Sequence, residues 1–174
     1  MDTFIALMGN KDFEKITINE IAEQADVNRG TIYLHFVDKY DLLDQCIATY
    51  MAHLVQHCTV VDESEEPPTH MALSLTFEFL EKNFKSYAIL MNKEGAHFFR
   101  EQLSHLITLM LQQHMMRVGQ GKGMSDEITV QFLTSAIVGI IEWWITNEMP
   151  CTVEEVTTQL WALLMPFNQV LLIS

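Results

Sequence analysis

Apolar residues recur at three- and four-residue intervals along almost the whole chain, the spacing that puts them on one side of a helix. Read this way, the pattern predicts an all-α fold with helices over 2–9, 18–25, 29–35, 39–60, 70–83, 86–91, 96–117, 125–147 and 153–172. Three stretches interrupt it. The strongest is Asp62-Glu-Ser-Glu-Glu-Pro-Pro68, where clustered carboxylates and two prolines end one helical run and start another. The others are Gly119-Gln-Gly-Lys-Gly123 and Glu148-Met-Pro-Cys151, the latter followed by Thr152 and Glu155 at the spacing of a capping box.

The most informative segment is Thr17 to Phe36. Thr17 and Glu20 form a second capping-box pair, in which side chains satisfy backbone donors that a helix start leaves unpaired. Ile18, Ile21, Ala22 and Ala25 then line one face. Asp26 and Val27 make a turn, and Asn28 is placed to cap a further helix whose Ile32 and Phe36 point inward. Two short helices on a tight turn follow. The outer face of the second carries Arg29, Thr31, Tyr33 and His35, donors and acceptors able to reach phosphates and base edges in a major groove. Gly30 removes a side chain where a phosphate backbone would come close. On spacing alone an ordinary polar surface helix competes with this reading.

The run Thr-Ile-x-x-Ile-Ala-x-x-Ala-x-Val-x-Arg-Gly-Thr-Ile-Tyr-x-His-Phe, followed by Asp38-Lys-x-Asp-Leu-Leu43, resembles the recognition motif of the tetracycline-repressor (TetR) family. The likeness covers about the first 47 residues. It implies a helix-turn-helix DNA-binding domain over 1–47, with its motif at about 17–36, and a helical effector-binding and dimerisation domain over 48–174. Thr17 would hold a phosphate, Arg29, Thr31, Tyr33 and His35 would face DNA with Asn28 and Gly30 beside them, and Lys39 would clamp a phosphate at the start of the next helix, where backbone amides also favour an anion. Two departures stand out. Asp26 replaces the family's usual turn glycine, a substitution that Asp tolerates better than most residues. The first helix is shorter than usual, lacking basic residues ahead of Phe4.

Segment 125–147 is apolar almost all round, with Ile128, Phe132, Ala136, Gly139 and Trp143 on one side, Val130, Leu133, Ile137, Ile141 and Trp144 on another, and a narrow polar stripe of Glu127, Gln131, Thr134 and Glu142. A helix so covered is buried twice, in its own core and against a partner subunit. Leu160, Leu164 and Phe167 repeat the idea in the last segment, so that the two helices would pair with their mates in a four-helix bundle. The competing reading makes both central helices of a monomer. Between these and the N-terminal unit, Phe77, Tyr87, Met91, Phe98 and Met110, with His105 as a polar contact, are candidates for lining a pocket for a small apolar effector, although such residues also build ordinary cores.

Charge complicates the picture. The chain carries a formal net −13, and residues 1–45 hold four cations (Lys11, Lys15, Arg29, Lys39) against nine carboxylates. A polyanion partner then gains few phosphate contacts, which predicts a shallow salt dependence of DNA binding. Three scattered cysteines, with no C-x-x-C pair, and seven scattered histidines, of which only His53 and His57 have helical i,i+4 spacing, frame no metal site. No Gly-rich phosphate loop or nucleophile elbow points to an enzyme, and no cofactor is implied. No uninterrupted run of about 18 apolar residues occurs and Met1 to Gly9 lacks the features of a secretory signal, which together predict a cytoplasmic protein. The sequence thus favours a homodimeric repressor released from a palindromic operator by an apolar effector, with a protein-binding co-regulator or an activator of the same fold as the alternative.

Overall fold

The computed structural model describes residues 1–58, 70–91, 95–118 and 126–172. Its nine described helices are α1 (Asp2–Asn10), α2 (Ile18–Gln24), α3 (Arg29–His35), α4 (Lys39–Cys58), α5 (His70–Lys82), α6 (Phe84–Leu90), α7 (Gly95–Val118), α8 (Asp126–Thr146) and α9 (Val153–Leu172). A 3-10 turn, Phe13–Lys15, joins α1 to α2 and was not foreseen from periodicity, because three residues are too few to show a period. No strand occurs among the described residues.

The N-terminal unit closes on Phe4, Phe13, Ile16, Ile21, Ile32, Leu43 and Ile47, all buried. Phe13 is its hub. Its ring meets the edges of Phe4 at 6.2 Å and Tyr40 at 5.2 Å, so that α1, the 3-10 turn and α4 share one aromatic contact. The expected boundary at residue 47 falls inside α4, which runs unbroken to Cys58. Leu42, Leu43, Cys46 and Ile47 belong to its first half, while Met51 and Leu54 bury its second. A second tie joins the two regions at Gly9 of α1, where an added Cβ would lie 2.8 Å from the Ile89 side chain of α6.

In the body, Trp144 of α8 is wholly buried, edge-on to Phe77 of α5 at 5.2 Å, and its indole nitrogen donates to the Cys151 carbonyl at 2.9 Å. Tyr87 of α6 is equally buried among Tyr50, Phe79 and Phe99. Its hydroxyl donates to the Tyr50 carbonyl of α4 at 2.8 Å, which satisfies the one polar atom that burial would otherwise strand. Across α7 and α8, Arg100 pairs with both oxygens of Glu142, and the Thr108 and Thr134 hydroxyls lie 3.2 Å apart. The Thr152 and Glu155 capping box starts α9, the backbone and hydroxyl of Thr152 holding the Glu155 carboxyl below its ordinary value. Residues 127–146 are long and apolar enough, by length and composition, to cross a membrane; half of that stretch is buried inside the helical body.

Candidate nucleic-acid interface

Helices α2 and α3 are too short to persist alone, so their ends are tied down by side chains. The Thr17 hydroxyl accepts from the Glu20 amide at 3.3 Å, while the Glu20 carboxylate accepts from the Thr17 amide at 3.0 Å. The Lys11 ammonium, 2.5 Å from Glu20, and then the Thr17 amide hold that carboxyl below its ordinary value. Asp26 takes the left-handed conformation that the turn requires, with φ 52°. Asn28 Oδ1 then accepts from the Gly30 amide at 2.8 Å and starts α3. A Cβ on Gly30 would sit 3.3 Å from that same oxygen, so the glycine protects the cap. The sequence by itself suggests only close approach from outside as the reason for glycine there.

Ile32 is buried and Phe36 half-buried, which turns Arg29, Thr31, Tyr33 and His35 outward, all four exposed. Arg29 and Tyr33 are not independent. The guanidinium donates to the Tyr33 hydroxyl at 3.2 Å and lies 5.3 Å from the ring centroid, an arrangement that pre-orients both side chains at one end of the face.

Lys39 is placed differently from the phosphate clamp that the family resemblance implies. Its ammonium donates to the carbonyls of Phe13 at 3.1 Å, Glu14 at 3.0 Å and Ile16 at 3.4 Å, and lies 4.7 Å from the Phe13 ring centroid. Three donors meet three acceptors. The side chain is only 17% exposed, with the Glu14 carboxylate 3.7 Å away, so it fastens the 3-10 turn to α4. Lys11 and Lys15 also face carboxylates, Glu20 and Asp12 respectively. Arg29 forms no ion pair among the described residues and is therefore the chief source of positive field on this face.

The expected effector pocket is dispersed. Phe77, Tyr87 and Met91 are buried together in the core, whereas Phe98 and Met110 are half-buried. His105 is corrected: it lies exposed on α7 and faces no such pocket, since its helix buries the neighbouring Leu103 and Ile107 instead. Open space is found elsewhere, in a groove of about 540 Å³ between α4 and α5 lined by His53, Gln56, His57, Leu75, Glu78, Phe79, Lys82 and Asn83. There His57 stacks on Phe79 at 4.4 Å.

Of the expected pairing residues, Phe132, Gly139 and Trp143 are exposed along α8 and Ala136 is half-buried beside them. Leu160 and Leu164 are corrected, because both are buried within the subunit's own core and have no side chain left for a partner. Phe167 lies outside the described side chains. Ile128, expected on the same side of α8 as Phe132, is exposed with it, and an exposed apolar residue missed by sequence reasoning is Leu163 on α9. An all-round apolar helix hides which flank is free, and only packing reveals it. Cys46 is wholly buried, which pushes its thiol up to about 11 and leaves it protonated and unreactive near neutrality.

Residues 1–46 match the family described as bacterial regulatory proteins, tetR family, and residues 68–165 match the family described as transcriptional regulator C-terminal region. The chain is 21% identical over 169 residues to an uncharacterized HTH-type transcriptional regulator, YxbF, of Bacillus subtilis (strain 168), a match covering 93% of this chain and 43% of that protein. It therefore spans less than half the length of this curated relative. Among solved structures it is similar to the fatty acid degradation regulator FadR from Bacillus halodurans, with a TM-score of 0.72 at 19% identity over 94% of this chain and 90% of that one. The dihydroxyacetone kinase operon activator DhaS gives a TM-score of 0.68 at 20% identity, over 97% and 93%. At such identities the likeness speaks for the fold.

Proposed function

The chain belongs to the tetR family of bacterial regulatory proteins, and from that premise we propose that it is a homodimeric repressor that reads a palindromic DNA operator and is released by a small apolar effector. The carrying observation is the capped helix α3, which buries Ile32 and exposes Arg29, Thr31, Tyr33 and His35. Such a set supplies a cation, hydroxyls and an imidazole to phosphates and base edges.

One seven-residue helix reads few base pairs, so a dimer is needed. The exposed flank of α8 supports one: Phe132, Gly139 and Trp143 follow one another along it, with Ile128 ahead and Leu163 of α9 also exposed. A Cβ on Gly139 would meet nothing within 4 Å in its own subunit, so no contact inside the protomer calls for a glycine. A two-fold pair of such faces would set two α3 helices roughly 34 Å apart, one turn of DNA. Phe132→Glu should shift the chain from dimer to monomer in sedimentation; an unchanged dimer would remove α8 from the interface.

Release follows from the Tyr87 to Tyr50 hydrogen bond, which ties the buried Phe77, Tyr87 and Met91 cluster to the backbone of α4. An apolar molecule entering that cluster would disturb the bond and tilt α4, changing the separation of the two α3 helices. Spin labels on α3 test this. An effector that lowers operator affinity without altering the label distance contradicts the mechanism.

A gel shift on the flanking intergenic DNA, with Tyr33→Ala as control, tests DNA reading itself. The acidic N-terminal unit, in which Lys11, Lys15 and Lys39 all face carboxylates, favours a second reading as a protein-binding co-regulator of the same fold. An activator is equally compatible with the geometry, because polarity depends on where the operator lies. Repressor binding should show a log–log salt slope shallower than about −5 per dimer, reflecting few neutralised phosphates.

A further inference from the structure

The two most exposed large apolar side chains among the described residues are Leu34 and Val37, each 81% accessible. Both lie at the α3 end of the molecule. Successive positions in a helix are about 100° apart, so Leu34 is roughly 160° from each of Ile32 and Phe36, the two residues that anchor α3 inward. Leu34 is thus the crest of the helix, with Arg29 and Tyr33 down one flank and Thr31 and His35 down the other. Val37 follows Phe36, the C-cap of α3, its amide donating to the Asp41 carboxylate at 2.7 Å, which fixes the backbone that carries it.

No packing inside the subunit accounts for a leucine there. A side chain so exposed adds nothing to the core, and solubility favours a polar residue at a helix crest. The surrounding face is polar and includes Arg29, which forms no ion pair among the described residues, so this is not the rim of an apolar patch built for another protein. What rewards an apolar group at the centre of a donor-rich ridge is the C5-methyl of thymine, the one apolar feature that the major groove displays.

We propose that Leu34 is a specificity-determining residue of the DNA interface, packing on a thymine methyl group in each half-site, with Val37 beside it at the groove edge. This rests on the reading of α3 as a DNA-recognition helix. It adds what that reading lacks, namely a base preference, because Arg29, Thr31 and His35 are all able to satisfy phosphates or several bases while a methyl contact selects thymine over cytosine.

The test uses the full chain and the tightest-binding duplex selected from a random pool, with each thymine replaced in turn by uracil, which deletes only the methyl. Burying one methyl against leucine predicts about a fourfold loss of affinity at one thymine per half-site for the wild type. Leu34→Ala should bind the thymine and uracil duplexes equally, and Leu34→Met, which stays apolar, should restore part of the difference. Both variants should keep the wild-type melting temperature. A wild type that binds its selected duplex but is indifferent to every uracil, or a methyl effect that survives in Leu34→Ala, overturns the proposal and leaves DNA reading intact; the first result would turn Leu34 and Val37 into a contact for another protein. If no duplex is enriched at all, the DNA-reading function itself fails, and this assignment with it.

Discussion

The N-terminal unit and the helical body reach order by different routes. In α1 to α3 and the start of α4, stability is spread over small polar devices at chain ends: the Thr17 and Glu20 box, the Asn28 cap, the Lys11 to Glu20 pair and the Lys39 ammonium on three carbonyls. In the body, wholly buried aromatic residues such as Phe77, Tyr87, Phe99 and Trp144 carry it. A surface that must keep Arg29, Thr31, Tyr33 and His35 in solvent has little apolar area to bury, so it holds its shape by satisfying the backbone. The body is instead close-packed, so that one displaced side chain moves its neighbours, which is what the proposed release through α4 would require.

This contrast predicts a ranking of mutational effects. Trp144→Ala removes a fully buried indole together with its bond to Cys151, and should cost about 3–5 kcal/mol in urea unfolding, enough to threaten the whole fold. A loss under 1 kcal/mol would mean that the body is not held by its aromatic core. Lys39→Met keeps the apolar stem over Phe13 but leaves three carbonyls without their donor, at a cost of about 2 kcal/mol. Hydrogen exchange should rise in the 3-10 turn and α2 while α8 stays protected. If affinity for DNA falls with no change in exchange, Lys39 is a phosphate ligand first and a fastener second.

Smaller again is Thr17→Ala, which opens one capping box at a cost of about 1 kcal/mol and should loosen α2 selectively. Acid sharpens the comparison with the least perturbation. Glu20 and Asp41 are held below their ordinary values of 4.5 and 3.8, the first chiefly by Lys11 and the second chiefly by Gln45. Carboxylates lowered in the folded state contribute stability that is full above those ordinary values and is lost as pH falls through the lower folded ones. The N-terminal unit should therefore loosen as pH is taken down through about 4, seen as earlier exchange in α2 than in α7. Simultaneous loosening of both would say that the two regions are one cooperative unit.

Much of this was legible in the residues. The helix ends at Thr17, Asn28 and Thr152 were readable because capping depends on side chains only two or three positions away. The turn at Asp26 was readable for the same reason, and its φ of 52° is a local property. Tertiary placement was not. Whether Leu160 and Leu164 face a partner or the subunit's own core is decided by α5 and α7, far away in sequence, and periodicity is the same in either case. Lys39 illustrates the limit most sharply: a family motif marks the lysine, but only the folded chain brings three carbonyls from residues 13–16 around it. The position of Leu34 is legible, since the two-residue steps from Ile32 to Phe36 put it at the crest, but only the folded chain shows that nothing in the protein covers it.

The central claim is that the outward face of α3 reads duplex DNA as one half of a symmetric pair. Its most direct test is selection of binding sites from a random duplex pool by the full chain, alongside Tyr33→Ala shown to melt at the same temperature. The account predicts a two-fold symmetric motif whose half-sites lie about one helical turn apart, with enrichment abolished in the variant. A well-folded wild type that enriches no sequence, or a motif that Tyr33→Ala selects equally well, would contradict it.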